Sequence, residues 1–511
     1  MSFFTELQKN INDINNLQRT ENGAIGYKST GKTILDMNFD VPRYRNASPE
    51  EIIKKFNQAR SENPVLAVLW TFFARDVRGG LGERRLFRIL FREICNTDGE
   101  TARKVIPLVS EYGRWDDLVY STINTPAWDK TIEVIKAQLL QDTENVKANK
   151  PITLLGKWLP SERTSSIKSR ETARKIAHDI GLPIKDYNHM LVALRKYSNV
   201  VEVKMSARDW GGIDYSTVPS YANLKYNNAF LRNDEERRRK YLAALTKGET
   251  KINASTAFPH DIVRKYKMGW HYANYADEAI EAMWKALPDM GGLENTIVVA
   301  DGSGSMYRST NPAPIDVANA LAIYCAEHNK GEFYNKYITF SCTPKFVDLS
   351  KGKTLLDKLN IASKHCEVAN TNIEAVFDII LDTAIASKAA QEDIPKSILI
   401  ISDMEFDSCA ETNSSFSYSR RSYNQPDSTL FKQIEKKYAA AGYKIPRVVF
   451  WNVASRTGTI PMIENDLGVT LVSGYSVSIF KMIMDGETDP FQNLVNMLMS
   501  ERYQPVYKAI Q

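Results

Sequence analysis

From Ser48 to about residue 290, apolar side chains recur at three- and four-residue intervals in one segment after another. The segments are "SPEEIIKKF", "PVLAVLWTFFARD", "ERRLFRILFREI", "ARKVIPLVSEYG", "KTIEVIKAQLL", "SRETARKIAHDIG", "YNHMLVALRKYS", "DEERRRKYLAALTKG" and "YADEAIEAMWKAL". This spacing predicts amphipathic helices of about three or four turns, separated by short turns carrying Gly, Pro or Asp. Ser48 is an expected N-cap, with Pro49 at the first helical position and acids in the first turn. No fixed sequence period relates the segments, but helices joined by short links predict stacked helix pairs. The expected fold is an α-solenoid of HEAT-like helical repeats, whose curvature offers an extended surface for binding. The first fifty residues, with "NINDINNLQ" and "NGAIGYKSTGK", are rich in Asn and Gly and weakly periodic, which predicts an irregular arm that packs elsewhere.

Near Gly291 the pattern changes. "NTIVVADGSGSM" predicts a strand ending in a loop, and "APIDVANALAIYCAEHN" a helix with Val317, Ala320, Leu321, Tyr324 and Cys325 on one face. "EFYNKYITFSCTPKFVDL" predicts a strand or hairpin, and "TNIEAVFDIILDTAIA" and "STLFKQIEKKYAAAG" predict helices. "KSILIISDMEF", "RVVFWNVAS" and "GVTLVSG" are apolar enough to be strands covered on both faces. Alternating strand and helix of this kind predicts a mainly parallel, doubly wound α/β domain. The expected division is an arm at 1–47, a helical-repeat domain at 48–290 and an α/β domain at 291–511.

A chain of 511 residues with 43% hydrophobic and 25% charged residues suits two or three globular domains. The amino terminus lacks the basic start and apolar run of a secretory signal, and the longest apolar stretch, near Val65–Ala74, falls short of the ~20 residues that span a bilayer. Cys95, Cys325, Cys342, Cys366 and Cys409 are scattered and form no C-x-x-C pair. Together these predict a soluble cytoplasmic protein with no membrane partner. Charge is unevenly spread: residues 1–290 hold 45 Lys and Arg against 36 Asp and Glu, whereas 291–511 hold 21 against 25. A basic front half suits a polyanionic partner, with a solvated lysine-rich face as the plainer alternative.

The candidate chemistry of the rear half lies at strand ends, where open parallel sheets place their ligands. Asp301 ends one apolar strand and is followed by Ser303 and Ser305; Asp403 ends another; Thr371 starts a helix between them. Two carboxylates and three hydroxyls are hard oxygen donors, suited to Mg2+ or Mn2+. Such a set leaves much of the cation's charge uncancelled, so a partner carboxylate or phosphate could take an open position. Asp403, Glu405 and Asp407 form an acidic trio, read as one ligand with two exposed neighbours.

These residues resemble the metal-ion-dependent adhesion site of von Willebrand factor A domains: D-x-S-x-S as Asp301, Ser303 and Ser305, then Thr371 and Asp403. "ARDVRGGLGERR", "YGRWDDLV", "KWLPS", "IDYSTVPSYANLKY" and "FPHDIVRKY" resemble an uncharacterised family that pairs a TROVE-like helical-repeat module with a carboxy-terminal A domain. That family is related to the Ro autoantigen, a ring-shaped RNA-binding protein. The resemblance implies an RNA-binding protein, holding structured or single-stranded non-coding RNA as a ribonucleoprotein, with the A domain closing the ring.

Within the helical half, Arg75, Arg78, Arg84, Arg85, Arg88 and Arg92 surround a turn of Gly79, Gly80 and Gly82. Glycine lets a backbone approach a phosphate, and the guanidinium fork suits phosphate oxygens. The alternative is that Asp76 and Glu83 pair with these arginines and fix a helix–helix turn. A second stretch, "GKWLPSERTSSIKSRETARK", sets Lys157, Arg163, Lys168, Arg170, Arg174 and Lys175 beside Trp158 and several hydroxyls, the mixture that phosphate contacts and base stacking require. The candidate RNA-binding residues are therefore Arg78, Arg84, Arg85, Lys157, Lys168, Arg170 and Arg174. "EERRRKY" reads as a solvated helix face, His260 as a capping or packing residue, and "YGRWDDL" as a buried aromatic at a helix start. No phosphate-binding loop or nucleophile elbow is found, and no enzyme is expected. Two other readings stay open: an interaction scaffold whose metal captures a partner carboxylate, and a metal-dependent nuclease.

Overall fold

The computed structural model describes residues 3–198, 200–269, 271–289, 291, 293–340, 343–365, 371–408 and 429–511; Cys342, Cys366 and Cys409 lie outside them. The chain forms two compact units that do not follow chain order. One holds Met1–Ala47 and Ala257–Met497, the other Ser48–Thr256 and Leu498–Gln511. The boundary expected at residue 290 thus differs from the one observed. Helix Glu278–Lys285 belongs with the sheet unit, and the last residues of the chain belong with the helix-rich one.

The helix-rich unit opens as its sequence dictates. The Ser48 hydroxyl accepts from the Glu51 amide at 3.2 Å, and Asn63 caps the next helix through Leu66. Helix Arg84–Thr97 buries Leu86, Phe87, Leu90, Phe91 and Ile94 and leaves its arginines on the opposite side. "ARKVIPLVSEYG" is a broken element rather than one helix: an α-helix over Gly99–Val105, a 3-10 turn at Ile106–Leu108 and a last turn at Val109–Tyr112. The break falls at Pro107, whose ring is excluded from a helix interior. Phe72 is the hub of an aromatic core, 5.4 Å from Tyr112 and 5.9 Å from Phe87, and Tyr112 stacks on Tyr503 from the carboxy-terminal segment at 5.7 Å.

The other unit is built on a six-stranded sheet. Its strands are β1 Thr296–Asp301, β2 Lys336–Phe340, β3 Lys345–Asp348, β4 Ser397–Ser402, β5 Arg447–Asn452 and β6 Val469–Ser473. Their spatial order is β6-β5-β4-β1-β2-β3, parallel except for the β2–β3 hairpin at one edge. The chain leaves β1 toward β2 on one side and later returns to β4 on the other, so the strand order switches direction between β1 and β4. Asp301 ends β1, and Asp403 follows β4 directly.

The amino-terminal arm is regular, contrary to expectation. It forms helix Phe3–Asn15, a hairpin of Leu17–Arg19 with Ile25–Tyr27, and helices Thr33–Phe39 and Val41–Tyr44. Asn and Gly frequency misled here because Gly23, at φ +95°, is a turn residue serving the hairpin rather than a sign of irregular chain. The hairpin joins the sheet unit by mutual backbone bonds of Tyr27 and Ile460 at 2.8 and 2.9 Å. The Asn452 amide donates to the Phe39 carbonyl at 2.7 Å, at the end of β5. Among the described residues, no helix is long and apolar enough to cross a membrane.

Candidate functional site

Parallel register places Ser402 beside Asp301, and their side chains meet: the Ser402 hydroxyl donates to Asp301 Oδ2 at 2.6 Å. Asp301 Oδ1 accepts from the Ser303 amide at 2.8 Å, which folds the loop back over the strand end. The hydroxyls of Ser303 and Ser305 lie 3.1 Å apart, and that of Ser305 reaches Asp403. The Thr371 carbonyl accepts from the Asp407 amide at 3.1 Å, which fixes Thr371 beside the segment after β4. Asp301, Ser303, Thr371 and Asp403 are buried, each 1% exposed or less.

Electrostatics at this rim is unbalanced. Burial, and next the charge of Asp403, push the Asp301 carboxyl well above the usual carboxylate range. Burial also raises Asp403, opposed chiefly by Arg456, whose Nη1 donates to Asp403 Oδ2 at 2.8 Å. Two buried carboxylates that repel each other, flanked by adjacent hydroxyls, are chemically suited to a hard divalent cation. Among the described residues, no group of three or more His, Cys, Asp or Glu side chains gathers as a metal cluster, so any such ion relies on hydroxyl oxygens.

Glu405 corrects the reading of the acidic trio. It is fully buried rather than exposed, and its carboxylate accepts from the amides of Glu21, Arg456 and Thr457, each at 2.9 Å. Those oxygens are spent on holding two loops against the rim. Asp407 is half-buried, and burial raises its carboxyl.

The arm contributes residues that sequence reading missed. The Asn22 amide donates to the Thr371 hydroxyl at 3.2 Å and to the Glu405 carbonyl at 2.6 Å. Glu21 Oε2 accepts from Arg456 at 2.6 Å and from Arg308 at 3.2 Å. Ser402 was legible as the residue before Asp403. Arg456, Glu21 and Asn22 carry no local pattern that marks them.

In the helix-rich unit, the glycine turn is structural. A Cβ on Gly80 would lie 2.0 Å from the Phe73 carbonyl oxygen, and Gly82 sits at φ +75°. The close approach is to the preceding helix end, where the Leu81 and Glu83 amides bond the carbonyls of Phe73 and Ala74. Asp76 pairs with Arg502 at 2.8 Å, and the acids that take the arginines come from "YGRWDDL". Asp117 binds Arg75 and Arg88, each at 2.7 Å, and Asp116 binds Arg88 at 2.8 Å. Trp115 is buried at that helix start, as expected.

Arginines spaced three and four apart on helix Arg84–Thr97 share one face. A cavity of about 680 Å³ is lined there by Arg84, Arg85, Arg88, Arg92 and Tyr120. The Arg88 guanidinium lies 5.1 Å from the Tyr120 ring centre and the Lys168 ammonium 5.9 Å from it. Arg114 covers Trp158 at 4.2 Å, with Lys157 at 5.5 Å. Burial first, then neighbouring cations, hold Arg84 below the usual arginine range and bring Arg114 down to about 10. Arg75, Arg84, Arg88 and Arg114 crowd around two carboxylates, so positive charge is in excess.

Of the residues expected to touch RNA, Arg84, Arg85, Lys157 and Lys168 thus lie in this basic and aromatic surface. Arg78 is exposed on the glycine turn and Arg170 is half-buried; Arg174 pairs with Glu162 at 2.7 Å. The "EERRRKY" face is only partly solvated. Arg239 pairs with Glu235 at 2.8 Å, but Arg238 is fully buried among Tyr215, Phe230 and Tyr241.

Comparison with known proteins gives relatives of unassigned role. Residues 295–505 match a domain of unknown function (DUF7788), and residues 184–290 match another (DUF2828). The chain is similar to uncharacterized protein L728 of Acanthamoeba polyphaga mimivirus, with 29% identity across 96% of this chain and 89% of the relative. A distant structural similarity spans most of the chain: the crystal structure of the Deinococcus radiodurans Ro (Rsr) protein, with 10% identity and a TM-score of 0.40, covers 92% of this chain and 99% of that one.

Proposed function

We propose that this is an RNA-binding protein whose helix-rich unit, a HEAT-like repeat, holds non-coding RNA on its arginine face. The observation that carries this reading is the cavity of Arg84, Arg85, Arg88, Arg92 and Tyr120, with Lys168 over the same ring. Guanidinium groups in excess of their carboxylates attract phosphates, and half-buried Tyr120 supplies an aromatic ring among them for an unpaired base. The resemblance of the sequence to the TROVE-like family agrees with this chemistry. Buried thiols at Cys95 and Cys325 suit a cytoplasmic setting.

The test is fluorescence anisotropy of a labelled single-stranded RNA titrated with the full chain across a range of salt. Affinity falls steeply with salt, and Arg85→Glu with Lys168→Glu weakens binding and flattens the salt slope by about one to two contacts' worth. Equal affinity and slope in the double variant would overturn the reading.

For the sheet unit we propose an A-type domain in which Asp301, Ser303, Ser305, Thr371 and Asp403 hold Mg2+ or Mn2+. When bound, the ion supplies a Lewis-acidic position open to a partner's carboxylate. The surrounding residues do the positioning: Ser402 orients Asp301, Glu405 fastens the loops, and Arg456 compensates Asp403. A protein partner captured there is the second reading.

A further inference from the structure

A second cavity, of about 600 Å³, lies within the sheet unit, lined by the hairpin strands Lys267–Met268 and His271–Tyr272 and by the loop after Ser305. Its wall includes Arg264, Lys267, His271, Arg308, Asp316 and Asn319. Tyr272 and Tyr307 also line it.

Three features distinguish it from an ordinary surface groove. Asn319 is only 7% exposed, yet among the described residues its side-chain amide has no hydrogen-bond partner. A carboxamide that lines a cavity and is not engaged within the chain can take a ligand with both a donor and an acceptor. Arg264 and His271 are exposed and, among the described residues, make no side-chain hydrogen bond or ion pair. Asp316, one helical turn before Asn319 on the same helix face, is the cavity's carboxylate, and it is already paired with Lys267. Arg308 is bonded to Glu21 and Lys267 to Asp316, so Arg264 carries the cavity's surplus positive charge.

We propose that this cavity binds one nucleoside phosphate, the phosphate on Arg264 and His271, the base edge on Asn319, and the flat part against Tyr272 and Tyr307. The volume suits a single nucleotide, within the range of about 300–1,000 Å³ for small-ligand sites. A bare phosphate would leave the amide and the rings unused, and a divalent cation would meet like charge. The inference stands apart from the arginine face of the helix-rich unit and does not need it. The nucleotide has two possible sources, a free mononucleotide or the phosphorylated end of an RNA strand.

The experiment is calorimetric titration of the full chain with AMP, adenosine and inorganic phosphate, and with an RNA hexamer bearing either a 5′-phosphate or a 5′-hydroxyl. AMP or the 5′-phosphorylated hexamer is expected to bind at least about tenfold more tightly than adenosine, phosphate or the 5′-hydroxyl hexamer. Arg264→Glu, a surface change, is expected to weaken that binding about tenfold or more, and Asn319→Ser to do the same with thermal stability retained. Preference for AMP assigns a free nucleotide, and preference for the 5′-phosphorylated hexamer assigns a strand end. Absence of binding by every phosphorylated probe, or binding equal in wild type and Arg264→Glu, would overturn the proposal. Because Arg264→Glu leaves Arg85 and Lys168 intact, loss of salt-sensitive RNA binding and loss of nucleotide binding are read separately.

Discussion

Arg456 and Glu21 meet at 2.6 Å, and the same guanidinium holds Asp403 at 2.8 Å, so one cation serves a buried carboxylate at the sheet rim and an exposed one on the amino-terminal hairpin. Among the described residues, Arg456 is the cation bonded to the Asp301–Asp403 pair. Arg456→Gln is expected to destabilise the sheet unit by about 3 kcal/mol in EDTA, the scale for removing one partner of a buried pair. Mg2+ should then raise the melting temperature of the variant by more than it raises that of wild type. Equal Mg2+ protection of both proteins in a thermal melt would show that no divalent ion takes over this role.

His260 stacks on Phe258 at 5.6 Å and meets Tyr475 edge-on at 4.9 Å, as a packing residue should. Burial, then the charges of Arg45 and Arg264, push its imidazole down to about 3; Asp261 at 3.6 Å, itself raised by burial, does not offset this. Between pH 6.5 and about 3 the unfolded chain takes up a proton that the folded one refuses. Stability from this residue is therefore complete above pH 6.5 and falls as pH drops, by at most about 1.4 kcal/mol per pH unit. Comparison of urea melts of wild type and His260→Phe from pH 7 to 4 checks this: the difference between them should narrow as pH falls.

Asp117 is fully buried and joins Arg75, itself only 5% exposed at the side chain, to Arg88. Asp117→Ala leaves the Arg75 guanidinium buried without its carboxylate. A loss of about 3–5 kcal/mol is expected on chemical unfolding of the helix-rich unit. Asp116→Ala removes a carboxylate bonded to Arg88, whose guanidinium is still held by Asp117, and should cost less.

Arg238 lies 5.0–5.4 Å from the ring centres of Tyr215, Phe230 and Tyr241 and donates to the carboxamide oxygens of Asn223 and Asn227. Arg238→Met keeps much of the volume but takes the guanidinium donor from both carboxamide oxygens. A loss of about 1–3 kcal/mol for each is expected, with a lowered urea midpoint as the readout.

The helices and strands were legible because their causes are local. Ser48 caps the helix it precedes, Pro107 breaks the helix it enters, and the apolar runs at 297–300 and 398–401 form the strands their composition implies. The D-x-S-x-S loop was legible for the same reason: Ser303 folds back on an aspartate two residues away. Pairings across long stretches of chain were not. Arg75 and Arg88 chose Asp117 rather than Asp76, the arm closed on the strand ends through Glu21 and Asn22, and Arg238 went inward from a run that reads as solvated.

Outside the amino-terminal arm and the segment broken at Pro107, sequence alone determined which segments are helix and strand, and that hydroxyls and carboxylates sit at strand ends, because periodicity, capping and turn chemistry act within a few residues. Tertiary structure decided which acid neutralises which arginine, which polar groups are buried, and that the first residues of the chain pack with its α/β half. Those choices depend on desolvation and on the closure of loops hundreds of residues long, and neither quantity is written in any short window of the chain.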